Sequence, residues 1–358
     1  MRPIVLLHRA IDVIERKRRI KGRTRYWRNV FEKYVGDPIL TEEQKRSIQK
    51  YYQTLIHQKV STVFHEFYLQ TTGNFAVEYL PEDLYYCYID PYYNDWNAAK
   101  FFDNKCYYRL LLSDVQQPNM IACRINGFWY VEKDNDLQLI SEQAAQELIS
   151  DNECFVKQAS ESEGGFGVRY LEKGASIDTI RSAIDDLKGD IVVQASLSQS
   201  SAMARLNPSS VNTLRVLSFL KPDGSVKIYS VIVRMGIHGS KVDNSSSGGI
   251  TSGVDENGRL RPVAYTASGI RFDSHPDTGV HFETCVIPNF DKVKEIVKKA
   301  HPRFSNFRLM SWDFAINEQD QPILIEVNMH YGALYFHQQC NGPLFAEDTQ
   351  LILKEVFQ

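Results

Sequence analysis

Two acidic residues and an amide near the C-terminal end of the chain could hold a metal ion together. Asp313 and Glu326 lie on either side of a polar stretch, 317–321, that has the composition of a turn. If this turn is centred between residues 319 and 320, the flanking strands form a hairpin in which Asp313 faces Glu326. Asn328 then shares a strand face with Glu326. Facing carboxylates repel each other unless a cation or a proton lies between them, and all-oxygen ligands suit Mg²⁺.

Acids near a hairpin can also be merely solvated, so the metal site depends on the rest of the chain. A short strand over 155–158 contains Lys157 and is followed by a loop with Gly164, Gly165 and Gly167. Glycine lets backbone N–H groups approach phosphates closely, and the lysine could pair with the same phosphates. The loop matches neither GxxxxGK[ST] nor GxGxxG, and a glycine-rich hairpin turn is the alternative interpretation.

Arg215 is a third candidate, in the strand-like segment 211–220. Thr213 and Arg215 share one strand face, and Asn212 and Leu214 share the other. An arginine in an otherwise apolar strand is costly unless it is paired. The partner could be a phosphate or a structural carboxylate, and the sequence leaves both open.

Composition excludes several classes of protein. The 358 residues are 43% hydrophobic and 24% charged, which is typical of a globular protein, and no run approaches the length of a membrane span. The six cysteines form no CxxC pair, so we expect neither a disulfide scaffold nor a zinc site, and a reducing cytoplasm fits. HExxH, GxSxG, HRD and DFG motifs are absent, which disfavours zinc proteases, serine hydrolases and protein kinases.

The charge is unevenly distributed along the chain. Residues 1–50 contain 14 Lys and Arg against 6 Asp and Glu, although the net charge of the whole chain is -3. Most of this excess lies within 16–28, after apolar residues at helical spacing. A basic helix of this kind could lie on an anionic membrane or hold a polyanion, and a solvated helix face is the alternative. We expect no nucleic-acid binding, since the pI is near 6.3 and no recognition motif accompanies the patch.

The pattern of elements divides the chain into three consecutive regions. Residues 1–100 are predicted to be mainly helical, with a helical run from Thr41 to about Gln70 and a loop-like aromatic segment over 85–93 that forms core or stacks on sugars. Residues 101–195 alternate between helical and strand-like stretches. Residues 196–358 are strand-rich, with a hairpin around 221–224, a helix over 290–300, and a loop over 243–253 that is either a lid or a turn.

Taken together, these motifs resemble the ATP-grasp enzymes, and most closely the sugar-transfer-associated ATP-grasp group found with bacterial exopolysaccharide functions. The resemblance spans roughly residues 40–348. The segments that carry it are FVKQASESEGGFGV, LNPSSVNTLRVLSF, RMGIHGSKVDNSSSGGI and MSWDFAINEQDQPILIEVN, followed by NGPLF. It implies an ATP-grasp fold, in which two α+β subdomains (101–195 and 196–358) clamp ATP.

The resemblance also implies residue roles. Asp313, Glu326 and Asn328 would hold Mg²⁺, and Arg215 would face the γ-phosphate or an acyl phosphate. The nucleotide would contact the two lysines, the glycine loop and a hinge beside adenine: Lys105, Lys157, Gly164, Gly165, Gly167, Gln194, Ala195 and Leu197. Ala195 and Ser196 stand where many ATP-grasp chains have a glutamate for the ribose.

The implied activity is ATP-dependent carboxylate–amine ligation in surface-polysaccharide biosynthesis, in the cytoplasm or at the inner face of the membrane. The substrates would be a small-molecule or glycan carboxylate and an amine. Candidate contacts come from loops that border the expected site: His238, Asn244, Gly248, Gly249, His330, Tyr331 and Gln338. Two alternatives stay open. One is a sugar or polyol kinase on the same fold, and the other is a non-catalytic ATP-binding partner of a glycosyltransferase, docked through the basic N-terminus.

Overall fold

The computed structural model describes residues 3–134, 136–160, 167–240 and 248–358, and it describes side chains for residue 15 and from residue 17 onward. Gly164, Gly165 and Asn244 therefore lie outside the described residues. Two compact units are formed. The first comprises Met1–Asn94, Ser268–Ile270 and Ala333–Gln358, and the second comprises Asp95–Ala267 and Arg271–Gly332.

The first unit is helical. Thr41 begins its second helix with a capping box, in which the Thr41 side chain accepts from the Gln44 backbone N–H and the Gln44 side chain accepts in return. The predicted run to about Gln70 is broken at His57, whose left-handed backbone ends that helix. The helices are α1 (Pro3–Tyr34), α2 (Glu42–Ile56), α3 (Val63–Thr72), α4 (Glu82–Leu84), a π-helix (Tyr85–Ile89), α5 (Asp90–Tyr93), α12 (Leu334–Asn341) and α13 (Thr349–Phe357).

One prediction for this unit was wrong, and one boundary differs from the predicted division. The aromatic segment 85–93 is helical rather than loop-like, because the π-helix continues directly into α5 and Pro91 is accommodated within this run. Tyr85, Tyr86 and Tyr93 are buried, so the segment forms core. The C-terminal residues 333–358, which were assigned to the strand-rich region, belong to the helical unit.

The second unit contains two antiparallel sheets. The smaller sheet has the strand order β3-β2-β1-β6-β4-β5 and the larger has β11-β10-β9-β8-β7-β12-β13. The strands are β1 (Met120–Ile125), β2 (Phe128–Lys133), β3 (Asp136–Ile140), β4 (Cys154–Gln158), β5 (Val168–Leu171), β6 (Ile191–Ala195), β7 (Thr213–Leu220), β8 (Val226–Met235), β9 (Ile250–Val254), β10 (Leu260–Tyr265), β11 (Arg271–Phe272), β12 (Leu309–Ile316) and β13 (Pro322–Asn328).

Helices cover one face of each sheet. Ile149 of one helix and Ile180 of another are fully buried against the smaller sheet, and Val293 and Val297 are fully buried against the larger one. The helix predicted over 290–300 and the hairpin around 221–224 are confirmed. The helices of this unit are α6 (Trp96–Phe102), α7 (Tyr108–Leu111), α8 (Glu142–Ser150), α9 (Ile177–Asp185), α10 (Ser201–Leu206) and α11 (Phe290–Ala300).

Mixed helices and antiparallel sheets confirm the predicted α+β class. Among the described residues, no helix combines the length and the low polarity that crossing a membrane requires.

Candidate functional site

The hairpin of β12 and β13 brings the two predicted acids face to face. Asp313 pairs with Glu326, and Ser311 pairs with Asn328. The turn is held by Asn317, whose side-chain oxygen accepts hydrogen bonds from the backbone N–H groups of residues 319 and 321. One extra residue in β13 shifts the register beside Asp313, as in a β-bulge. The predicted facing of the two carboxylates is therefore confirmed.

Two arginine side chains donate hydrogen bonds to the carboxylate of Asp313. Arg215 is its register partner on β7 and donates two hydrogen bonds, from Nε at 2.8 Å and from Nη2 at 2.7 Å. Arg234 donates a third at 3.0 Å. Burial alone would raise the pKa of Asp313, which is 1% exposed, but the two guanidinium groups outweigh it and lower the pKa to about 2. The sequence left a phosphate or a structural carboxylate as the partner of Arg215, and in the structure it pairs with the carboxylate of Asp313.

Arg234 was missed in the sequence, although the argument for Arg215 applies equally to it. It is a charged residue in the apolar strand β8, and it lies opposite Thr213 on β7. Its Nη2 donates to the Thr213 hydroxyl at 2.8 Å as well as to Asp313. Arg234 therefore joins the same charged cluster as Arg215.

Lys105 pairs with the second acid. Its Nζ lies 2.6 Å from Glu326 Oε1, and its side chain is only 6% exposed. The lysine is positioned by the smaller sheet, because its backbone N–H donates to the Ala159 carbonyl just beyond β4. The neighbouring Asn104 donates to Asp190 at 2.8 Å and fixes the same turn. Lys105 thus links the acid hairpin of the larger sheet to the end of strand β4 in the smaller one.

Tyr108 fixes the outer strand of the hairpin. Strand β13 is the edge of the larger sheet, so its outward backbone groups have no strand partner. The Tyr108 hydroxyl donates to the Val327 carbonyl at 3.0 Å and accepts from the Val327 N–H at 3.2 Å. Val327 lies between Glu326 and Asn328, so its two hydrogen bonds to the buried Tyr108 hold both of these neighbours in place.

Lys157 lies on the smaller sheet in strand β4. Its Nζ donates to Gln194 Oε1 on β6 at 3.0 Å and lies 5.7 Å from the centroid of the Phe155 ring. Gly167, with φ 84°, closes the β4–β5 hairpin, because its carbonyl accepts from the Gln158 N–H. Lys157 and Gln194 are brought together, and their roles toward a nucleotide stay predictions.

The predicted hinge is the chain segment that leaves the smaller sheet for the larger one. The Ala195 N–H donates to the Asn119 carbonyl, and the Ser196 N–H donates to the Glu153 carbonyl. The chain then continues through Leu197 to Ser200, whose N–H donates to the Ile316 carbonyl on β12. The segment is therefore anchored at both ends, and its contact with adenine stays a prediction.

The predicted substrate contacts are dispersed. His238 is 78% exposed and lies 3.8 Å from Asp277, while Gly248 and Gly249 lead into β9. His330 and Tyr331 follow the acid hairpin directly and are half-buried. Gln338 is fully buried in the helical unit. Its amide bonds to Leu80 and to the Tyr68 hydroxyl there, and this packing accounts for it without a substrate.

The donors at the hairpin fit a magnesium ion in their chemistry. Two carboxylates and an amide offer hard oxygen atoms, and Ser311 adds a buried hydroxyl with no hydrogen-bond partner among the described residues. Both carboxylates are at present balanced by cationic side chains. Among the described residues, no group of three or more His, Cys, Asp or Glu is arranged to bind a metal ion. A phosphate ligand that draws these cations away would leave oxygen ligands for Mg²⁺.

Comparison with solved structures gives distant similarity. A biotin carboxylase from Campylobacter jejuni is 12% identical with a TM-score of 0.43, and the match covers 72% of this chain and 46% of that one. A D-alanyl-alanine synthetase A from Vibrio cholerae is 14% identical with a TM-score of 0.40, covering 72% and 65%. The chain thus spans from about half to somewhat under two thirds of the length of these proteins.

Comparison with family models gives a specific result. No curated protein matches the chain. A model described as sugar-transfer associated ATP-grasp matches residues 87–352, which include the hairpin acids, both lysines and both arginines. The resemblance inferred from the motifs is therefore confirmed, and the chain belongs to the sugar-transfer associated ATP-grasp family and has the ATP-grasp fold.

Proposed function

We propose that the chain is an ATP-dependent carboxylate–amine ligase that forms an amide through an acyl phosphate. The observation that carries this proposal is the row Arg215–Asp313–Glu326, three register partners across adjacent strands. Lys105 and Arg234 complete the row with further positive charge. Clustered acids and cations of this kind can neutralise phosphates and a divalent ion together. Membership of the ATP-grasp family supports the same reaction class.

Asp313, Glu326 and Asn328 would hold Mg²⁺, which when bound would neutralise charge on the phosphate oxygens. Lys157 would pair with the inner phosphates, and its contact with Gln194 shows that it can bond to an oxygen at that position. Gln194, Ala195 and Leu197 would border adenine. The glycines 164, 165 and 167 would lie over the phosphates.

The proposed chemistry has two steps. A carboxylate oxygen of the substrate attacks the γ-phosphorus, the bond to the β,γ-bridging oxygen breaks, and ADP leaves with the electron pair. The amine nitrogen then attacks the acyl carbon, phosphate leaves, and the surplus amine proton passes to solvent. Lys105, Arg215 and Arg234 stabilise the developing negative charge by position, without bonding covalently to it.

The proposed substrates are a carboxylate on a sugar or small molecule and an amine. A uronic acid or another acidic sugar of a bacterial surface polysaccharide fits the family description. His238, Asn244, Gly248, Gly249, His330 and Tyr331 are the proposed contacts. The dependence on ATP and the free cysteines suit the cytoplasm. The exposed basic residues of α1, among them Lys17, Arg18, Lys21 and Arg25, would contact an anionic membrane surface or a glycosyltransferase partner.

Hydroxylamine trapping tests the reaction class. The protein is incubated with ATP, Mg²⁺, hydroxylamine and a panel of uronic and amino acids, and hydroxamate and ADP are both measured. An acyl phosphate gives hydroxamate in proportion to ADP, and Glu326→Gln abolishes both products. Exposed Glu318, in the turn of the same hairpin, supplies the matched control Glu318→Gln.

Each of the other outcomes identifies a rival. ADP and a phosphorylated sugar, without hydroxamate, would identify a sugar or polyol kinase. Nucleotide binding without turnover on any acceptor would favour the non-catalytic partner of a glycosyltransferase. Absence of nucleotide binding would overturn the proposal altogether.

A further inference from the structure

Three aromatic rings meet just beyond the acid hairpin. The Trp96 ring centroid lies 5.6 Å from that of His330 and 5.0 Å from that of Tyr331. The His330 and Tyr331 rings are 4.6 Å apart. All three residues are half-buried, neither enclosed in the core nor fully exposed. The cluster begins two residues after Asn328 on the same chain segment.

The backbone of the cluster is held in an unfavourable conformation. Tyr331 has φ 58°, in the left-handed region, which a bulky side chain rarely adopts. Met329, immediately before, is fully buried in the core of the larger sheet, which fixes the path of the segment. Strain of this kind persists where the surroundings enforce it, and it is concentrated at ligand clamps and active sites. The conformation directs the His330 and Tyr331 rings to Trp96.

Trp96 is fixed independently. It begins α6 directly after Asp95, whose carboxylate caps the helix by accepting from the N–H groups of Asn97 and Ala98. The Asp95 N–H also donates to the Asn306 carbonyl at 3.0 Å. The indole therefore lies on a rigid element, as a side chain that orients a ligand must.

We propose that Trp96, His330 and Tyr331 bind the sugar ring of the carboxylate substrate and set the preference for sugar over amino-acid carboxylates. This inference rests on the proposed ligase function. A pyranose ring has an apolar C–H face that can pack on an aromatic ring, and hydroxyl groups at its rim. The three side chains offer aromatic surface together with imidazole and phenol groups that can hydrogen-bond to hydroxyls or to a carboxylate. Their place after Asn328 puts them at the end of the strand that carries Glu326.

Ligand-observed saturation-transfer NMR tests the proposal without relying on turnover. The probes are methyl glucuronide, methyl glucoside and alanine, each added to the protein with Mg²⁺ and a non-hydrolysable ATP analogue. We expect the glucuronide ring protons to receive saturation. We expect Trp96→Ala to weaken its binding at least tenfold, whereas Trp96→Phe, which retains a ring, keeps most of it. Phe101→Ala is the matched control, since Phe101 is an exposed aromatic residue of the same helix.

Thermal stabilisation by the nucleotide analogue separates the possible failures. If the analogue stabilises wild type and Trp96→Ala equally but the glucuronide binds both with the same affinity, the aromatic cluster is not a sugar site. If the analogue binds and no sugar does, the sugar proposal is wrong while the ligase proposal stands. If the analogue does not bind wild type, the ligase proposal itself fails, and this inference fails with it.

Discussion

Asp313 and Glu326 face each other across the hairpin only because β13 contains one extra residue between the turn and Glu326. On the turn side, Ala315 pairs with Ile323 and Ile316 with Pro322, so those residue numbers sum to one less than those of the acid pair. The added residue restores the facing of the acids and strengthens the local twist of the strand. The hairpin therefore opposes two negative charges, each of which is balanced by a cation.

Glu326→Gln should lower the turnover rate by a factor on the order of a hundred or more, because it removes one of the two carboxylates available to Mg²⁺. The fold should survive, since glutamine can still accept a hydrogen bond from Lys105. Steady-state ADP release and circular dichroism measure the two effects. Near-full activity of Glu326→Gln, compared with Glu318→Gln, would show that the hairpin is not the metal site.

Mg²⁺ alone should stabilise the protein little. Mg²⁺ and an ATP analogue together should stabilise it by more than the sum of their separate effects. The reason is that Arg215, Arg234 and Lys105 form ion pairs with the two carboxylates. Phosphates that compete for these cations would make the carboxylates available to Mg²⁺. Thermal unfolding with each ligand separately and together measures the coupling. If millimolar Mg²⁺ raises the unfolding temperature by the same amount with and without the nucleotide analogue, the predicted coupling does not exist.

Arg215→Met should lower the free energy of unfolding by about 3–5 kcal/mol, because it leaves a buried carboxylate without its bidentate partner. Arg234→Met should cost less, since Arg234 gives Asp313 a single hydrogen bond. Urea denaturation of both variants, alone and combined with Asp313→Asn, measures the coupling in a double-mutant cycle. If Asp313→Asn does not reduce the cost of Arg215→Met, the pair is not what stabilises the strands.

The acid pair follows from the sequence through the assumed centre of the turn, and the predicted pairing is correct because two offsets in register cancel at Asp313. The bulge is not visible in the sequence, because Ile323, Leu324 and Ile325 form a continuous apolar run in which no break of alternation can be seen. The turn was placed half a residue too far along, and the bulge offset that error at Asp313. Arg234 is harder to recognise because it is the penultimate residue of β8, where a charge resembles an ordinary strand boundary.

Long-range packing was the part that the sequence could not supply. Gln338 looked like a site residue because it follows the metal motif in the chain. In the structure its amide nitrogen donates hydrogen bonds to the Leu80 carbonyl and the Tyr68 hydroxyl, which lie more than 250 residues earlier in the chain. Nothing local in the sequence records such a partner. The π-helix was missed for a related reason, since its tyrosines are specified by burial rather than by helix propensity.

The stability of the protein should fall as the pH drops from about 6.5 to 4, partly because of His301. Burial lowers the pKa of His301 to about 4, so the imidazole stays neutral in the folded state. Its Nε2–H donates to the Phe307 carbonyl, and its Nδ1 accepts from the Ser218 hydroxyl. The lowered pKa makes the histidine stabilising above pH 6.5, and this contribution is lost as the unfolded chain takes up the proton.

The size of the pH effect is about 3 kcal/mol for His301, given 1.36 kcal/mol for each unit of pKa. Urea denaturation between pH 4 and 7.5 measures it, and His301→Asn should flatten the profile. His65, whose pKa burial also lowers to about 4, contributes in the same direction, so a residual slope is expected in the variant. A profile identical to wild type would show that His301 does not titrate in this range.

Reversing the charge of four exposed basic residues on α1 should abolish binding to anionic vesicles if this helix docks on a membrane surface. Lys17, Arg18, Lys21 and Arg25 are exposed and lie within about two turns of α1. Each basic residue near an anionic surface contributes about 1 kcal/mol to binding. Four Glu substitutions should therefore weaken binding to phosphatidylserine vesicles by more than a hundredfold at low salt.

The matched control reverses four exposed basic residues of the helical unit that lie outside α1, at Arg46, Lys50, Lys59 and Lys354. This variant has the same net charge as the α1 variant, so a shared loss of binding would indicate general electrostatics rather than docking. Co-sedimentation at several salt concentrations distinguishes the two cases, because a localised basic patch gives a steeper salt dependence than dispersed charge. Equal binding by wild type and the α1 variant would remove the membrane from the proposed partners.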